Sequence, residues 1–509
     1  MNLVSKNKLY ILAGLLIITL FFALRLPNLT LQPIFADEAI YIRWAQVMRA
    51  EPTLRFLPLT DGKTPLFMWT LMPVLKLVED PLLAGRLLSV GTGFIILIGV
   101  FFLARRIFGT KVAFWSALIY AVTPYTVFFD RMALVDSMLA AFTIWSIYFG
   151  VWLLKSQHLD LAMILGFLMG GALLTKTPAM VNLLALPVTV IAFQFKGRKK
   201  LSLIKLLGCW VVALGIALVV YNLLRLGPGF SAVSGRNGDY VFTLAELAGR
   251  PLDPFLPHWG DIKDFFPKLL TWPILIFGVI GVTRVIWTRN RSGLVILIWA
   301  LIPLLLFMAF LKTFTARYLL ISIPPLLIMC GYGVVILSEL VSKGLKVSRV
   351  SNGLFHLVPL VLFLLLVLPA LYFDCLLLTD PAKANLPKNE RRGYLEDWTA
   401  GYGFKELAQF FKEQAKVGPV VVGTEGSFGT LPDGLQIYLD KDQVTILGGG
   451  STVSPQLKES SKTQRTFYVA NKNRLRVNPP DEKLIMEIPK AIPLGNFPQD
   501  AIVVYEVGK

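Results

Sequence analysis

Residues 33–46 read PIFADEAIYIRWAQ, and a little further on residues 59–69 read LTDGKTPLFMW. Both stretches lie between strongly apolar runs, so they form a polar loop at a membrane surface rather than part of a soluble core. Within the loop Asp37 and Glu38 stand side by side, and Lys63 follows as a cation. Two carboxylates and an ammonium at a membrane edge can engage a hydroxyl, a metal ion and a phosphate.

The rest of the composition agrees with a membrane setting. Of 509 residues, 55% are hydrophobic and only 16% charged, and the mean hydropathy is +0.64. A soluble globular protein is excluded by such a balance. A spanning helix needs roughly 20 apolar residues, and about eleven stretches qualify by hydropathy. They fall near 8–26, 84–104, 112–129, 133–154, 159–175, 178–195, 203–226, 270–288, 293–311, 318–339 and 354–376. The expected fold is an α-helical polytopic membrane region over residues 1–376, with outer loops at 27–83 and 227–269, followed by a soluble α/β domain over 377–509.

The net charge of +18 is distributed as topology rather than as a nucleic-acid surface, and no nucleic acid is expected as a partner. Alternate short loops carry Arg105, Arg106 and Lys111, then Lys155, then Lys196, Arg198, Lys199, Lys200 and Lys205. Arg284, Arg289 and Arg291 follow, and finally Lys343, Lys346 and Arg349. This positive-inside pattern sets the N-terminus in the cytoplasm of a plasma or inner membrane. An odd number of spans then puts the Asp37 loop and the tail on the outer face. No small-residue cleavage site follows the first apolar run, which reads as a retained span. Cys209, Cys330 and Cys375 lie in or beside apolar spans and read as neither a disulfide framework nor a metal motif.

Along the chain, AIYIRWAQVMRA puts Ile40, Trp44, Val47 and Met48 on one helical face opposite Arg43 and Arg49, which predicts an interfacial helix lying on lipid. PLFMWTLMPVLKLV is a second such segment, interrupted by proline. Arg86 opens the second span, where an arginine either snorkels or meets an anionic headgroup. TPYTVFFDRMALVDSM brings Asp130, Arg131 and Asp136 to the outer surface, with Asp136 a turn inside its span. An ionisable residue at that depth marks a functional site or an internal ion pair. GFLMGGALLTKTP supplies Gly166, Gly170 and Gly171 for close helix packing and puts Lys176 on the outer face, against the charge rule. LKTFTARYLLISIPPL adds Lys312, Arg317 and Tyr318 there.

The outer stretch 227–268 is rich in Gly, Pro and Asn, which predicts an irregular lid or binding loop. Its His258, beside Trp259, reads as a packing residue. Beyond about Asp380, FKELAQFFKEQAK predicts an amphipathic helix, and PVVVGTE, LQIYLD, QVTILG, TFYVAN and AIVVYEV predict short strands. EGSFGTLPDG between two of them predicts a turn.

DEAIY, KTPLFMW, RLLSV, FDRMALVDSM, GGALLTKTP and ARYLLISIPPL occur in the order in which similar motifs appear in one known family. Over residues 8–340 the chain resembles the polyprenyl-phosphate-sugar-dependent glycosyltransferases of the GT-C class. That class includes protein O-mannosyltransferases and the lipid A aminoarabinose transferases. The tail resembles outer-face domains of some bacterial members. The resemblance implies inverting transfer of a sugar from an undecaprenyl- or dolichyl-phosphate donor to a hydroxyl of a protein, glycolipid or wall glycan. It matches Asp37 to the first acid of the Asp-Glu loop, Asp136 to the acid of the fourth span, and Lys63 to a Lys-Pro-Pro-Leu segment. Here Thr64 departs from that pattern.

The roles are chemically consistent. A phosphate-linked sugar already has a good leaving group, but an attacking hydroxyl needs a proton acceptor, for which Asp37 is the candidate. Lys63, Arg86, Arg131, Lys176, Arg317 and Tyr318 are the candidates for binding the lipid phosphate and sugar. Glu38 and Asp136 complete the carboxylate set, either orienting the acceptor or, for Asp136 with Asp37, holding a divalent cation such as Mg or Mn. Against this, Asp37 and Glu38 can simply cap the helix they begin. A transporter or flippase is the alternative function, although transporters gather polar groups near the midplane of repeated halves. A scaffold leaves the membrane-edge charges without a purpose.

Overall fold

The computed structural model describes residues 3–193, 199–250, 252–347, 352–439, 444–476 and 482–508. Lys196, Arg198 and Arg349 of the basic loops lie outside these residues, as do the side chains of Lys199, Lys200 and Lys346.

Six helices among the described residues are long and apolar enough to cross a membrane: Pro81–Phe108, Val135–Ser156, Leu201–Leu226, Arg291–Phe310, Ile323–Lys343 and Leu357–Thr379. Two bent pairs raise the number to eight: Thr110–Val122 with Pro124–Asp130, bent by 59°, and Phe255–Leu269 with Trp272–Trp287, bent by 111°. The other three expected spans coincide with the shorter apolar helices Lys8–Ala23, Leu159–Thr175 and Thr177–Ala192. Pro178 and Pro187 divide Thr177–Ala192 into 3₁₀ turns around a short α-helix. Length and composition by themselves thus account for six to eight crossings among the described residues.

Small residues set the closest contacts. A Cβ on Gly166, Gly170 or Gly171 would overlap Ala213 and Ile216, Val220, or Phe142 respectively, as expected for tight helix pairs. Gly281 and Gly333 do the same between Trp272–Trp287 and Ile323–Val347, where backbone meets backbone.

The segments between the spans differ from expectation. The Ala36–Ala50 helix forms, but it does not lie on lipid: Ile40, Ile42, Trp44 and Met48 are all buried. The tail covers it, and Gln46 donates to the Ile437 carbonyl at 2.9 Å. Residues 227–268 are not irregular, since Phe230–Tyr240, Leu244–Ala248 and Phe255–Leu269 are helices. In the first of these, Gly235 and Gly238 project into open space, so helical geometry costs no clash.

After Thr379 the chain builds a five-stranded sheet in the order Val444–Gly448, Val420–Thr424, Arg465–Asn471, Ala501–Glu506, Lys483–Pro489. The first three strands are mutually parallel, and Ala501–Glu506 runs antiparallel to both of its neighbours, Arg465–Asn471 and Lys483–Pro489. In the predicted strand LQIYLD, residues 435–439 are instead part of the Thr430–Leu439 helix, with Leu435, Ile437 and Leu439 buried and no ladder partner, and Asp440 lies outside the described residues. The strand Lys483–Pro489 was not expected. Phe404–Ala415 is the amphipathic helix foreseen. A small second sheet joins the tail to the first loop, with Ile34–Phe35 antiparallel to Ala400–Gly401.

Candidate active site

The Ala36–Ala50 helix starts where Phe35 leaves its two-residue strand, and its first turn contains Asp37 and Glu38. One residue apart on a helix, these side chains point in different directions. Their fates differ accordingly.

Glu38 turns inward and is fully buried. It receives Arg86 through both oxygens, Nε to Oε1 at 2.9 Å and Nη2 to Oε2 at 2.8 Å. The Phe35 N–H donates to it at 2.9 Å and the Ala133 N–H at 2.7 Å. Arg86 spends its remaining donors on the carbonyls of Leu29, Gln32 and Pro33. Arg131 donates to the carbonyls of Leu24, Arg25, Pro27 and Asn28. Glu38, Arg86 and Arg131, expected at the site, therefore lie outside the cluster around Asp37. These three buried groups hold the first loop to the spans, and their polar atoms are already used. Helix capping, raised for the acidic pair, applies to Glu38.

Asp37 turns the other way and meets cations. Arg317 Nη1 lies 2.6 Å from Oδ2, and Lys63 Nζ lies 3.5 Å from Oδ1. Burial by itself would raise the Asp37 carboxyl, but Arg317, then Lys63 and Lys176, outweigh it and hold the group well below the usual carboxylate range. The cluster continues through Tyr318, whose ring lies 5.3 Å from Arg317 Cζ and 4.2 Å from Lys176 Nζ. Lys176 in turn bonds Asp136 Oδ1 at 2.7 Å. The other oxygen of Asp136 is buried without a hydrogen-bond partner. Asp37, Lys63, Arg317, Tyr318, Lys176 and Asp136 thus form one connected set drawn from five separate stretches of chain.

Further groups shape this set that the sequence did not single out. Asp61 lies 3.4 Å from Lys63 and 3.3 Å from Arg236 of the Phe230–Tyr240 helix. Lys63 also lies over the rings of Tyr41, Trp44 and Phe428, at 5.2, 5.5 and 6.0 Å. The turn bearing Arg317 is gripped from two sides: Glu390 Oε1 accepts the Ala316 N–H at 2.7 Å, and the Tyr125 hydroxyl donates to the Ala316 carbonyl. Burial pushes the Glu390 carboxyl up to about 7, against the Ala316 N–H and Arg317, which pull it down. Tyr394 packs on Phe35 at 4.5 Å between ring centres. Glu390, Tyr394 and Phe428 belong to the tail, so the region beyond the last span completes the surroundings of Asp37. An acid within the basic run KNERR was the one readable signal for Glu390.

A family model described as dolichyl-phosphate-mannose-protein mannosyltransferase matches residues 62–222. The whole chain resembles ArnT from Cupriavidus metallidurans in the apo state, with a TM-score of 0.56 and 18% identity over 98% of both chains. The same protein bound to undecaprenyl phosphate gives 0.54 and 17% over 97% of both. The chain has the GT-C glycosyltransferase fold. The archaeal oligosaccharyltransferase AglB from Archaeoglobus fulgidus, solved with an inhibitory peptide and a dolichol-phosphate, matches at a TM-score of 0.56 and 11% identity, over 92% of this chain and 70% of that one. No match was found among curated protein sequences.

In this GT-C chain the expected metal pair, Asp37 with Asp136, does not fit a divalent cation. Ca²⁺, Mg²⁺ and Mn²⁺ call for several oxygen donors, whereas three of the four oxygens of these carboxylates are spent as hydrogen-bond or ion-pair partners of Arg317, Lys63 and Lys176. Among the described residues, no group of three or more His, Cys, Asp or Glu side chains is arranged to hold an ion. His258 is a packing residue, stacked on Phe314 at 4.5 Å with Nδ1 2.9 Å from the Met308 carbonyl. Cys209, Cys330 and Cys375 are free.

Proposed function

We propose that the chain is an inverting membrane glycosyltransferase that moves a sugar from a polyprenyl-phosphate donor to an acceptor hydroxyl on the extracytoplasmic face. The observation that carries this reading is the contact of Asp37 with Arg317 and Lys63 at the membrane edge. One carboxylate is paired there with two cations that an anionic headgroup can claim. The solved relatives bound to undecaprenyl phosphate and dolichol-phosphate support a lipid phosphate as that anion.

The pairing also explains how a weak base becomes competent. While Arg317 and Lys63 hold Asp37, its low pKa makes it a poor proton acceptor. A donor phosphate draws both cations to itself, and the carboxylate left behind in a buried site becomes more basic. The acceptor O–H then gives its proton to Asp37 as its oxygen bonds the anomeric carbon from the face opposite the phosphate. The bond from that carbon to the phosphate oxygen breaks, and the polyprenyl phosphate leaves with the electron pair. Its growing charge is met by Lys63, Arg317 and Lys176. Asp136, with one oxygen on Lys176 and one unpartnered, can hold the acceptor or a sugar hydroxyl.

In this reading the N-terminus is cytoplasmic, and the active site and tail are extracytoplasmic, in line with the basic loops. The test is transfer of radiolabelled sugar from a panel of polyprenyl-phosphate sugars in proteoliposomes, wild type against Asp37→Asn. Transfer or slow donor hydrolysis by the wild type alone supports the reading. A broad panel that is neither bound nor consumed overturns it.

A further inference from the structure

The tail carries an exposed apolar loop with no assigned purpose. Residues 491–499 read AIPLGNFPQ and contain no charge. Ile492 is 72% exposed, Leu494 58% and Phe497 53%. Three large apolar side chains on nine uncharged residues are unusual for a surface bathed only by water.

The height of this loop relative to the bilayer follows from what holds it. Arg391 donates to the Ala382 carbonyl and, through Nη2, to the Ile492 carbonyl at 3.1 Å. Glu396 Oε1 bonds Arg391 at 2.6 Å and accepts the Leu494 N–H at 3.3 Å. Ala382 is only three residues beyond Thr379, where the last apolar helix ends, so the chain can carry it no more than about 11 Å from that end. One guanidinium therefore ties the loop to the exit point of a membrane span.

A second element fixes the same level. The Phe255–Leu269 helix turns by 111° into Trp272–Trp287, so if the latter crosses the bilayer the former lies close to its plane. It exposes Leu256 and Trp259, with Trp272 exposed at the elbow, the pattern of an interfacial helix. This helix is joined to the exit segment: Asp264 accepts the Lys388 N–H at 2.7 Å, and Asp261 accepts from Asn389 at 3.0 Å. The segment 382–396 is thus pinned between an in-plane helix and the 491–499 loop.

We propose that the 491–499 loop is a membrane-contacting site, with Ile492, Leu494 and Phe497 entering the lipid interface beside the last span. Its partner is the bilayer surface itself, whatever its charge. Between residues 380 and 397, Asp380, Glu390, Glu396 and Asp397 balance Lys383, Lys388, Arg391 and Arg392. Arg392, over the Phe497 ring at 5.1 Å, is already paired with Asp397 at 3.3 Å. Binding comes from apolar burial, not from attraction to anionic lipid. The consequence is a tail anchored at two places, the span and the loop, which holds Glu390 and Phe428 over the Asp37 cluster.

The test uses the full chain in lipid nanodiscs with Cys375→Ser, since Cys209 and Cys330 are buried. An environment-sensitive fluorophore is placed at Leu494→Cys, at Phe497→Cys, and at Lys462→Cys as an exposed control on another part of the domain. A lipid carrying a shallow nitroxide is expected to quench the labels at 494 and 497 several-fold more than the control, and aqueous iodide to do the reverse. The result is expected to be the same in zwitterionic discs and in discs rich in anionic lipid. Iodide quenching at 494 and 497 equal to the control, without nitroxide quenching, overturns the proposal. So does shielding from both quenchers, which would mean a protein partner or a second copy covers the loop. Nitroxide quenching confined to anionic discs overturns the apolar account.

Discussion

Arg317 Nη1 stands 2.6 Å from Asp37 Oδ2, joining two residues 280 positions apart into one half-buried ion pair. Glu38, the immediate neighbour of Asp37, reaches no part of this pair and is saturated by Arg86 and two backbone amides. The two adjacent acids thus face different surroundings, Asp37 a set of cations and Glu38 the packed framework.

Replacing Asp37 with Asn removes the proton acceptor and keeps the shape. Sugar transfer should fall by about 10²–10⁴-fold while the donor still binds. Single-turnover transfer alongside a donor-binding measurement checks this, and a variant with near-normal transfer would sink the role of Asp37.

Arg317→Gln should act mainly on the phosphate. Losing a charge-assisted hydrogen-bonding fork costs about 1.5–3 kcal/mol, roughly a 10- to 150-fold weakening. Titration of undecaprenyl phosphate into wild type and variant reads this directly. Arg317→Lys should recover only part of the affinity, because an ammonium lacks the planar fork.

Glu38→Ala leaves Arg86 buried without its counter-charge. Breaking such a pair costs about 3–5 kcal/mol, so the variant should show a lowered thermal transition and poor yield, with losses in every activity rather than a selective one. A stable Glu38→Ala protein with transfer alone abolished would restore a catalytic role to Glu38.

Glu390 makes stability depend on pH. Its carboxyl rises from 4.5 to about 7 in the folded protein, so the folded state holds the proton more tightly than the unfolded chain. The stabilisation is full below about 4.5 and is lost as pH rises through about 7, on the order of a few kcal/mol in all. Glu390→Gln keeps an acceptor for the Ala316 N–H but cannot ionise. Thermal transitions measured on both sides of this window should fall with rising pH in the wild type and fall less in the variant.

Chelation should leave transfer intact, since the carboxylates at the site are matched by Arg317, Lys63 and Lys176 rather than left open to an ion. Transfer assayed with and without EDTA decides this; loss on chelation, restored by added Mg or Mn, would mean that a donor-bound ion takes part.

Much of this was legible from the residues. Apolar runs of span length and a charged loop between spans follow from solvation costs that act locally on each segment. Those costs decided the membrane class and the helical architecture. Asp37, Lys63, Asp136, Lys176, Arg317 and Tyr318 could be shortlisted because ionisable groups at membrane depth are expensive. The same cost also put Glu38, Arg86 and Arg131 on the list, since a buried pair and a catalytic charge look alike in sequence. Only the tertiary structure separated them, by showing whose hydrogen bonds are already filled. It also decided that residues 435–439 are helical and that 227–268 contains the helices Phe230–Tyr240, Leu244–Ala248 and most of Phe255–Leu269, because short segments take the conformation their neighbours can bury. Glu390 and Phe428 entered the site for the same reason: a domain distant in sequence packs over Asp37, and no local pattern encodes that contact.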